Sequence, residues 1–225
     1  MSAPPPDIET EKRLAAEAAA ALVEDGMTVG LGTGSTAAYL IAPLASRKLD
    51  IVCVSTSPAT AAAATQFGLK VVGFTGLEAP AHLDITIDGA DQVAPSGWLV
   101  KGGGGAHKRE KEVHAATNRF VVIVSSNKLV DRLRPPVPLE LSRFGLAGTL
   151  ARLEHVRIRN GPLSPDGGVI ADYLAEFDDA EALSARLCDA AGVVAHGLFP
   201  PSMVAEILVG RSDSVERIPV SRATA

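Results

Sequence analysis

The sequence predicts an α/β fold: a Rossmann-like, mostly parallel sheet with helices on both faces, joined to a smaller α+β unit. Three observations predict it. Short apolar runs of strand length, Phe120 to Val124 being the purest, alternate with helical stretches from Glu9 onward, as in a parallel sheet covered on both faces. Three glycine-bearing loops each follow such a run, so each falls at the carboxyl edge of the sheet, where open α/β folds place ligands. The alternation stops near Arg134, and Pro135, Pro136 and Pro138 exclude a helix there. Residues 1–133 together with 204–225 are therefore expected to form the large α/β domain that carries the site, and residues 134–203 a small α+β domain.

Taken in order, Glu9 to Glu24 is alanine-rich and amphipathic and reads as a helix that Asp25-Gly26 ends. Met27 to Leu31 is a strand, followed by Gly32-Thr33-Gly34-Ser35-Thr36. Ala37 to Leu49 reads as a helix despite Pro43, and Ile51 to Val54 as a strand. Ser57 to Phe67 is a helix: Pro58 falls in its first turn, where a missing N–H is tolerated, and Gly68 stops it. Lys70 to Phe74 and Leu83 to Ile87 are strands. A short strand at Trp98 to Val100 leads into Gly102 to Gly105, residues 107–117 follow as a helix, and Phe120 to Val124 is the next strand. Beyond the prolines the pattern predicts a helix at Ser142 to Leu153, a loop at Asn160 to Gly168 and a strand at Val169 to Tyr173. A helix at Ala180 to Ala191 and a strand at Val193 to Phe199 follow. Met203 to Leu208 is a last strand-like run, expected to return to the first sheet.

The chain has 225 residues, 47% hydrophobic and 21% charged, which suffices to bury a core and is not the composition of a disordered chain. A net charge of −5 argues against a nucleic acid or membrane surface held by bulk charge. It leaves room for a local basic pocket that binds an anionic small molecule. No apolar run approaches the ~18 residues of a membrane helix. The N-terminal MSAPPPDIET lacks the basic and apolar regions of a secretory signal and reads as a disordered arm with a polyproline bias. Cys53 and Cys188 are too few for a disulfide scaffold or a zinc site, and both read as buried packing residues of a cytoplasmic protein.

The first loop, Gly32 to Thr36, sets glycines and three hydroxyls at a helix start, whose free N–H groups and dipole favour an anion. It reads as a phosphate cradle or, with equal weight, as a tight strand–helix turn with a hydroxyl cap. It is not a Walker A loop, because the Gly-Lys-Ser/Thr ending is absent, nor GxGxxG, because Ala37 fills the last glycine's place. The second loop, Asp88-Gly89-Ala90-Asp91, sets two carboxylates at a strand end. Both are expected to face one pocket, where repulsion would separate their titrations, for proton transfer or for holding sugar hydroxyls. An Asp-Gly turn with a helix cap is the plainer alternative. A metal site is disfavoured by the low carboxylate count and the absence of a histidine near by in sequence.

The third loop runs from Lys101 through Gly102, Gly103, Gly104 and Gly105 toward Glu110. Consecutive glycines are costly to order. A strand before them and a charged helix after them point to close approach of backbone to ligand. Lys101 is a fixed cation at the loop mouth, and Glu110 a carboxylate on the following helix. His107 reads as a surface or capping residue, and Lys108, Arg109 and Lys111 as a solvated face. Lys128, after another strand, and Lys12, on the first helix, are candidate ligand cations and equally ordinary surface charges.

In the order and spacing of these residues the chain resembles ribose-5-phosphate isomerases of the A type. The resemblance rests on Val29 to Thr36, Ile87 to Asp91, Lys101 to Gly104 with Arg109-Glu110-Lys111, and Lys128. A weaker likeness continues through Pro138-Leu139-Glu140, Gly192-Val193-Val194 and Gly197-Leu198-Phe199. It implies interconversion of D-ribose 5-phosphate and D-ribulose 5-phosphate in the non-oxidative pentose phosphate pathway, without cofactor or metal, by a homodimer or homotetramer. It implies that Thr33, Gly34, Ser35 and Thr36 contact the substrate, as do Asp88, Gly89, Ala90, Asp91, Lys101, Gly102, Gly103, Gly104 and Lys128. It makes Glu110 the proton acceptor. Gln92 and Ser125 stand where acidic residues are frequent in the family, and Gly105-Ala106-His107 replaces commoner small and aliphatic residues.

On this reading Glu110 moves a proton between adjacent carbons while Lys101 and the loop amides face the enediolate. Asp88 would assist ring opening or shuttle the oxygen proton, and Asp91 would hold hydroxyls. Ser35 and Thr36, with Lys12, would take the phosphate. The main alternative is a non-catalytic sugar-phosphate sensor on a related fold, which keeps the cradle but needs no base. An acyl-CoA transferase or an amino-sugar phosphate isomerase on a similar sheet is a second rival. A nicotinamide dehydrogenase is disfavoured, since the full glycine fingerprint is missing.

Overall fold

The computed structural model describes residues 7–220, so residues 1–6 of the expected N-terminal arm lie outside the described part. The first half alternates as expected: α1 (Ile8–Ala20), β1 (Thr28–Leu31), α2 (Ser35–Ser46), β2 (Val52–Ser55), α3 (Pro58–Gln66), β3 (Lys70–Val72) and β4 (Ile85–Asp88). Two short strands, β5 (Gln92–Val93) and β6 (Leu99–Val100), precede α4 (His107–Ala115) and β7 (Phe120–Ser125). Then come β8 (Val137–Leu141), α5 (Leu146–Arg152), β9 (Val156–Ile158), β10 (Val169–Tyr173) and α6 (Ala180–Asp189). The chain closes with β11 (Val193–His196), β12 (Leu198–Phe199), β13 (Glu206–Gly210) and β14 (Val215–Pro219).

Among the described residues a seven-stranded sheet runs in the order β14-β13-β7-β4-β1-β2-β3. Its pairs are parallel except β13 with β14. Side chains alternate across it, as the period of a strand requires. Cys53, Ile85, Ile87, Val121, Ile123 and Leu208 enter a core shared with α1, α2 and α3. Asp7 caps α1 by accepting from Thr10 N at 3.3 Å. Small residues on its inner face, Ala15, Ala16, Ala19 and Ala20, let the helix lie close to the strands. Phe120, Val122, Val124, Ile207 and Val209 enter the opposite core. There they meet Val93, Leu99 and Phe199 of a three-stranded antiparallel sheet, β12-β6-β5. Val113 of α4 packs on Val54. One helix and a small sheet therefore cover the second face, where helices alone were expected.

A four-stranded antiparallel sheet, β11-β8-β10-β9, is drawn from residues 137–196. Its strand β8 carries Pro138, which the sequence marked only as a helix breaker. The Pro138 carbonyl accepts from Gly197 N at 2.7 Å, so the missing N–H faces the β11–β12 junction and not the ladder with β10. The strands β5, β9 and β14 also escaped the sequence pattern. Two are two or three residues long, and β14 alternates weakly because it is an exposed edge. The run expected as one strand at Val193 to Phe199 is two strands in different sheets, divided at Gly197. The run expected at Met203 to Leu208 begins later, as β13, after a 3-10 turn at Pro201–Met203, and returns to the large sheet beside β7. Among the described residues no helix is long and apolar enough to cross a membrane.

Gly197 is the joint between the two small sheets. A Cβ there would stand 2.2 Å from the Lys101 carbonyl oxygen, a backbone atom that cannot turn aside. Gly197→Ala is predicted to lower the unfolding free energy by at least ~1–3 kcal/mol through overpacking. The measurement is the urea midpoint; an unchanged midpoint would contradict the close packing.

Candidate active site

Four segments converge: the turn after β1, the turn after β4, the glycine run after β6, and a 3-10 turn at Ser126–Lys128 after β7. Thr33 to Thr36, Gly89 to Asp91, Lys101 to Gly104, Glu110 and Lys128 line one cleft of about 210 Å3. Missing side chains make the convergence possible. A Cβ on Gly32 would fall 2.0 Å from Asp88 Oδ1, and one on Gly103 2.8 Å from Asp91 Oδ1. Gly34, at φ 114°, precedes α2, which starts at Ser35 and has no side-chain cap. Its first-turn amides have no acceptor within the helix and stay open to an anion.

A charged cluster lies in and behind the wall of this cleft. Lys101 Nζ stands 2.9 Å from Asp88 Oδ2 and 3.2 Å from Glu110 Oε2, and it donates to Gly89 O. The contact with Glu110 is ionic, without the alignment of a hydrogen bond. Asp88 Oδ1 accepts from Thr33 N at 3.0 Å and Gly89 N at 2.7 Å. His114 Nε2 lies 3.2 Å from Asp88 Oδ2, and its ring stacks on Phe120 with centroids 3.6 Å apart. Exposure is 0% for Asp88, 2% for Lys101, 3% for Glu110 and 2% for His114, so water screens these charges little.

Burial pushes the Glu110 carboxyl up to about 8; the Lys101 ammonium opposes that rise and the Asp88 carboxylate adds to it. Burial also disfavours an ionised Asp88, but Lys101 and His114 together hold it below the ordinary carboxylate value. Lys101 is weakened as a cation by burial, and its two carboxylate neighbours more than reverse this, so its pKa is raised. Burial drives His114 down to about 4, so the ring is neutral and Nε2 carries the proton given to Asp88, which can only accept. The outcome is one fixed anion, one fixed cation and one carboxyl that titrates near neutrality. Two carboxyls whose environments separate their titrations mark an acid–base site.

The family model for ribose 5-phosphate isomerase A (phosphoriboisomerase A) matches residues 52–214. The ribose-5-phosphate isomerase A of Caulobacter vibrioides is 42% identical over 226 residues, covering 93% of this chain and 98% of that protein. The chain belongs to the ribose-5-phosphate isomerase A family. Solved structures agree. The ribose 5-phosphate isomerase A of Methanocaldococcus jannaschii superposes with a TM-score of 0.85 at 34% identity, over 92% of this chain and 97% of that one. A D-ribose-5-phosphate isomerase in complex with phospho-erythronic acid superposes with a TM-score of 0.88 at 30% identity, over 95% and 99%. A model of the DeoR C terminal sensor domain matches residues 8–86, which hold the cradle loop but neither Lys101 nor Glu110. The sensor match thus covers the Thr33 to Thr36 side of the cleft and none of the side with Lys101 and Glu110.

Within this isomerase-family site several residues differ from what the sequence suggested. Asp88 does not line the cleft. It ends β4, between β1 and β7 in the middle of the sheet, and its carboxylate is sealed beneath Gly32 and Lys101. The carboxyls whose titrations separate are Asp88 and Glu110. Lys12 is also absent from the lining; its Nζ lies 2.7 Å from Glu9 Oε1 on the same helix. Ser35 and Thr36 belong to α2 itself, not to the loop before it. His107 is fully buried, and burial lowers its pKa to about 4. Lys111 is not solvated, since Nζ donates to His196 O and Leu198 O at 2.9 Å each, and burial lowers it to about 8. Cys53 is buried as expected, whereas Cys188 is exposed on α6.

His114 was missed altogether. The only signal was its spacing: it stands four residues after Glu110, hence on the same helix face. The charge of Asp88 helps to raise Glu110. Asp88→Asn is therefore predicted to move the Glu110 titration below about 8, followed by carbon-13 NMR of its carboxyl. An unmoved or higher midpoint would contradict the coupling.

Proposed function

We propose that this chain interconverts D-ribose 5-phosphate and D-ribulose 5-phosphate through an enediolate, with Glu110 as the base. The observation that carries this reading is a carboxyl poised near neutrality beside a buried ammonium, in the wall of a cleft that also presents open helix amides and Lys128. Glu110 takes the C2 proton of the open-chain aldose as negative charge gathers on O1. Lys101 and the glycine-loop amides stabilise that charge. Glu110 returns the proton to C1, the O2 proton passes to O1, and C2–O2 becomes the carbonyl. No atom is gained or lost, and no electron leaves the sugar.

One carboxylate serves two neighbouring carbons when the far end of the substrate is anchored. Ser35, Thr36, the first amides of α2 and Lys128 are suited to the phosphate, in place of Lys12. Asp91 accepts from Gly103 N at 2.7 Å through Oδ2 and keeps Oδ1 for sugar hydroxyls. Asp88, out of the cleft, acts on Lys101 and Glu110 electrostatically rather than on the sugar. We read the protein further as a cytoplasmic homodimer or homotetramer of the non-oxidative pentose phosphate pathway. Free cysteines suit a reducing compartment, and the exposed Phe144 and Leu163, on connections of the four-stranded sheet, suit contact with a second copy.

Glu110→Gln keeps size and hydrogen bonding and removes the base. Its kcat is predicted to fall at least ~100-fold, with affinity for inorganic phosphate within about twofold of wild type. Solvent deuterium should likewise stop entering C2 of ribose 5-phosphate. Near-normal turnover rejects the role. In the wild-type protein the base acts as carboxylate and is protonated below its pKa, so kcat/KM should rise as pH rises through about 8. The raised pKa of Lys101 keeps the ammonium intact, so no falling limb is expected below the ordinary lysine range. A rate that falls across the interval near 8 would mean that Glu110 acts first as an acid.

A further inference from the structure

We propose that Arg159 is a positioning residue for this reaction: it holds two carbonyls of the glycine run and thereby turns the Gly104 amide toward the developing enediolate. The inference rests on the isomerase reading above. Arg159 immediately follows β9 and reaches out of the four-stranded sheet. Its Nε and Nη2 grip the Asp172 carboxylate of β10 at 3.0 and 2.7 Å. Its Nη1 donates to Gly102 O at 3.1 Å and to Gly103 O at 2.9 Å. A guanidinium is planar, so a two-point grip on Asp172 aims the remaining nitrogen. The Asp172 side chain is 9% exposed and that of Arg159 24%, so the pair is only weakly screened.

The consequence follows from peptide geometry. A trans peptide is planar, with C=O and the next N–H pointing in opposite directions. These peptides are trans. With Gly102 O on Arg159, the Gly103 N–H must point away from it, and it is found on Asp91 Oδ2 at 2.7 Å. With Gly103 O on Arg159, the Gly104 N–H must also point away. That N–H has no acceptor among the described residues, and Gly104 lines the cleft while Arg159 does not. The open donor is therefore presented to the cavity in which charge appears as the C2 proton leaves. The run has no side chains of its own to anchor it, and glycine samples the widest range of backbone angles. Arg159 adds a restraint from the second sheet to a run otherwise held by Gly103 N–H on Asp91 and by Gly105 N–H on Gly102 O at 3.0 Å.

The test uses the full chain with Arg159→Ala, Arg159→Lys and Asp172→Asn. It compares isomerase kcat and KM, inhibition by phospho-erythronic acid, whose planar carboxylate resembles the enediolate, and binding of inorganic phosphate. Arg159→Ala is expected to lower kcat about 10–100-fold with KM within about threefold, and to weaken phospho-erythronic acid by a similar factor. Inorganic phosphate should stay within about twofold of wild type. Asp172→Asn, which loosens the grip, should give a smaller fall in kcat of the same kind. Arg159→Lys keeps the charge but not the fork, and should remain well below wild-type kcat; it carries the test alone if the alanine variant does not fold. A folded Arg159→Ala with wild-type kcat, a fully active Arg159→Lys, or equal weakening of phosphate and phospho-erythronic acid would overturn the inference. An inactive wild-type chain defeats the isomerase reading itself. An active one with an indifferent Arg159 defeats only this inference.

Discussion

A buried ammonium between two carboxylates governs this site. Lys101 is almost without exposure, and an unpaired charge in such a place would cost several kcal/mol. Asp88 neutralises it at 2.9 Å. Glu110 is then the odd charge in a space already balanced, and burial makes its ionised form unfavourable. The same arrangement that stabilises Lys101 thus produces a carboxyl able to take and return a proton near neutral pH. A surplus carboxyl beside a satisfied ion pair is the physical basis of the proposed chemistry.

Separate parts of the fold hold the members of this cluster. Asp88 comes from the middle of the parallel sheet, Lys101 from the end of the three-stranded sheet, and Glu110 and His114 from one face of α4. The Lys101 backbone N–H donates to Gly197 O at 2.8 Å, and the Phe199 ring lies 5.6 Å from Nζ. His114, kept neutral, gives Asp88 a donor without adding a second cation. The connection between β9 and β10 joins in. Asp166 receives Arg109, the neighbour of Glu110, with Nη2 at 2.8 Å. A half-exposed ion pair of this kind adds little to stability. Its effect is geometric, since it ties the helix that carries Glu110 to the second sheet.

Much of the site was legible because its parts are local. A glycine run after a strand, or two aspartates flanking Gly89-Ala90, needs only a few residues to be recognised, and each lies at the carboxyl edge of a predicted strand. Lys101, Glu110, Asp91, Lys128 and the turn at Thr33 to Thr36 all reach one cleft. Short or exposed strands were not legible. β5 and β9 are too brief to show a period, β8 is masked by Pro138, and β14 is an edge whose outward residues are polar.

The order of residues along the chain determined by itself the alternating α/β pattern, the three loops and the candidates for base and cation. These depend on backbone conformation and residue type within a few positions. Only the tertiary structure decided that Asp88 lies beneath the cleft and not in it, that Lys12 stays with Glu9, and that His114, Gly197 and Arg159 belong to the site's support. Burial and charge pairing are properties of neighbours brought together from distant parts of the chain, so no local pattern can encode whether a given carboxyl is sealed, exposed or raised in pKa.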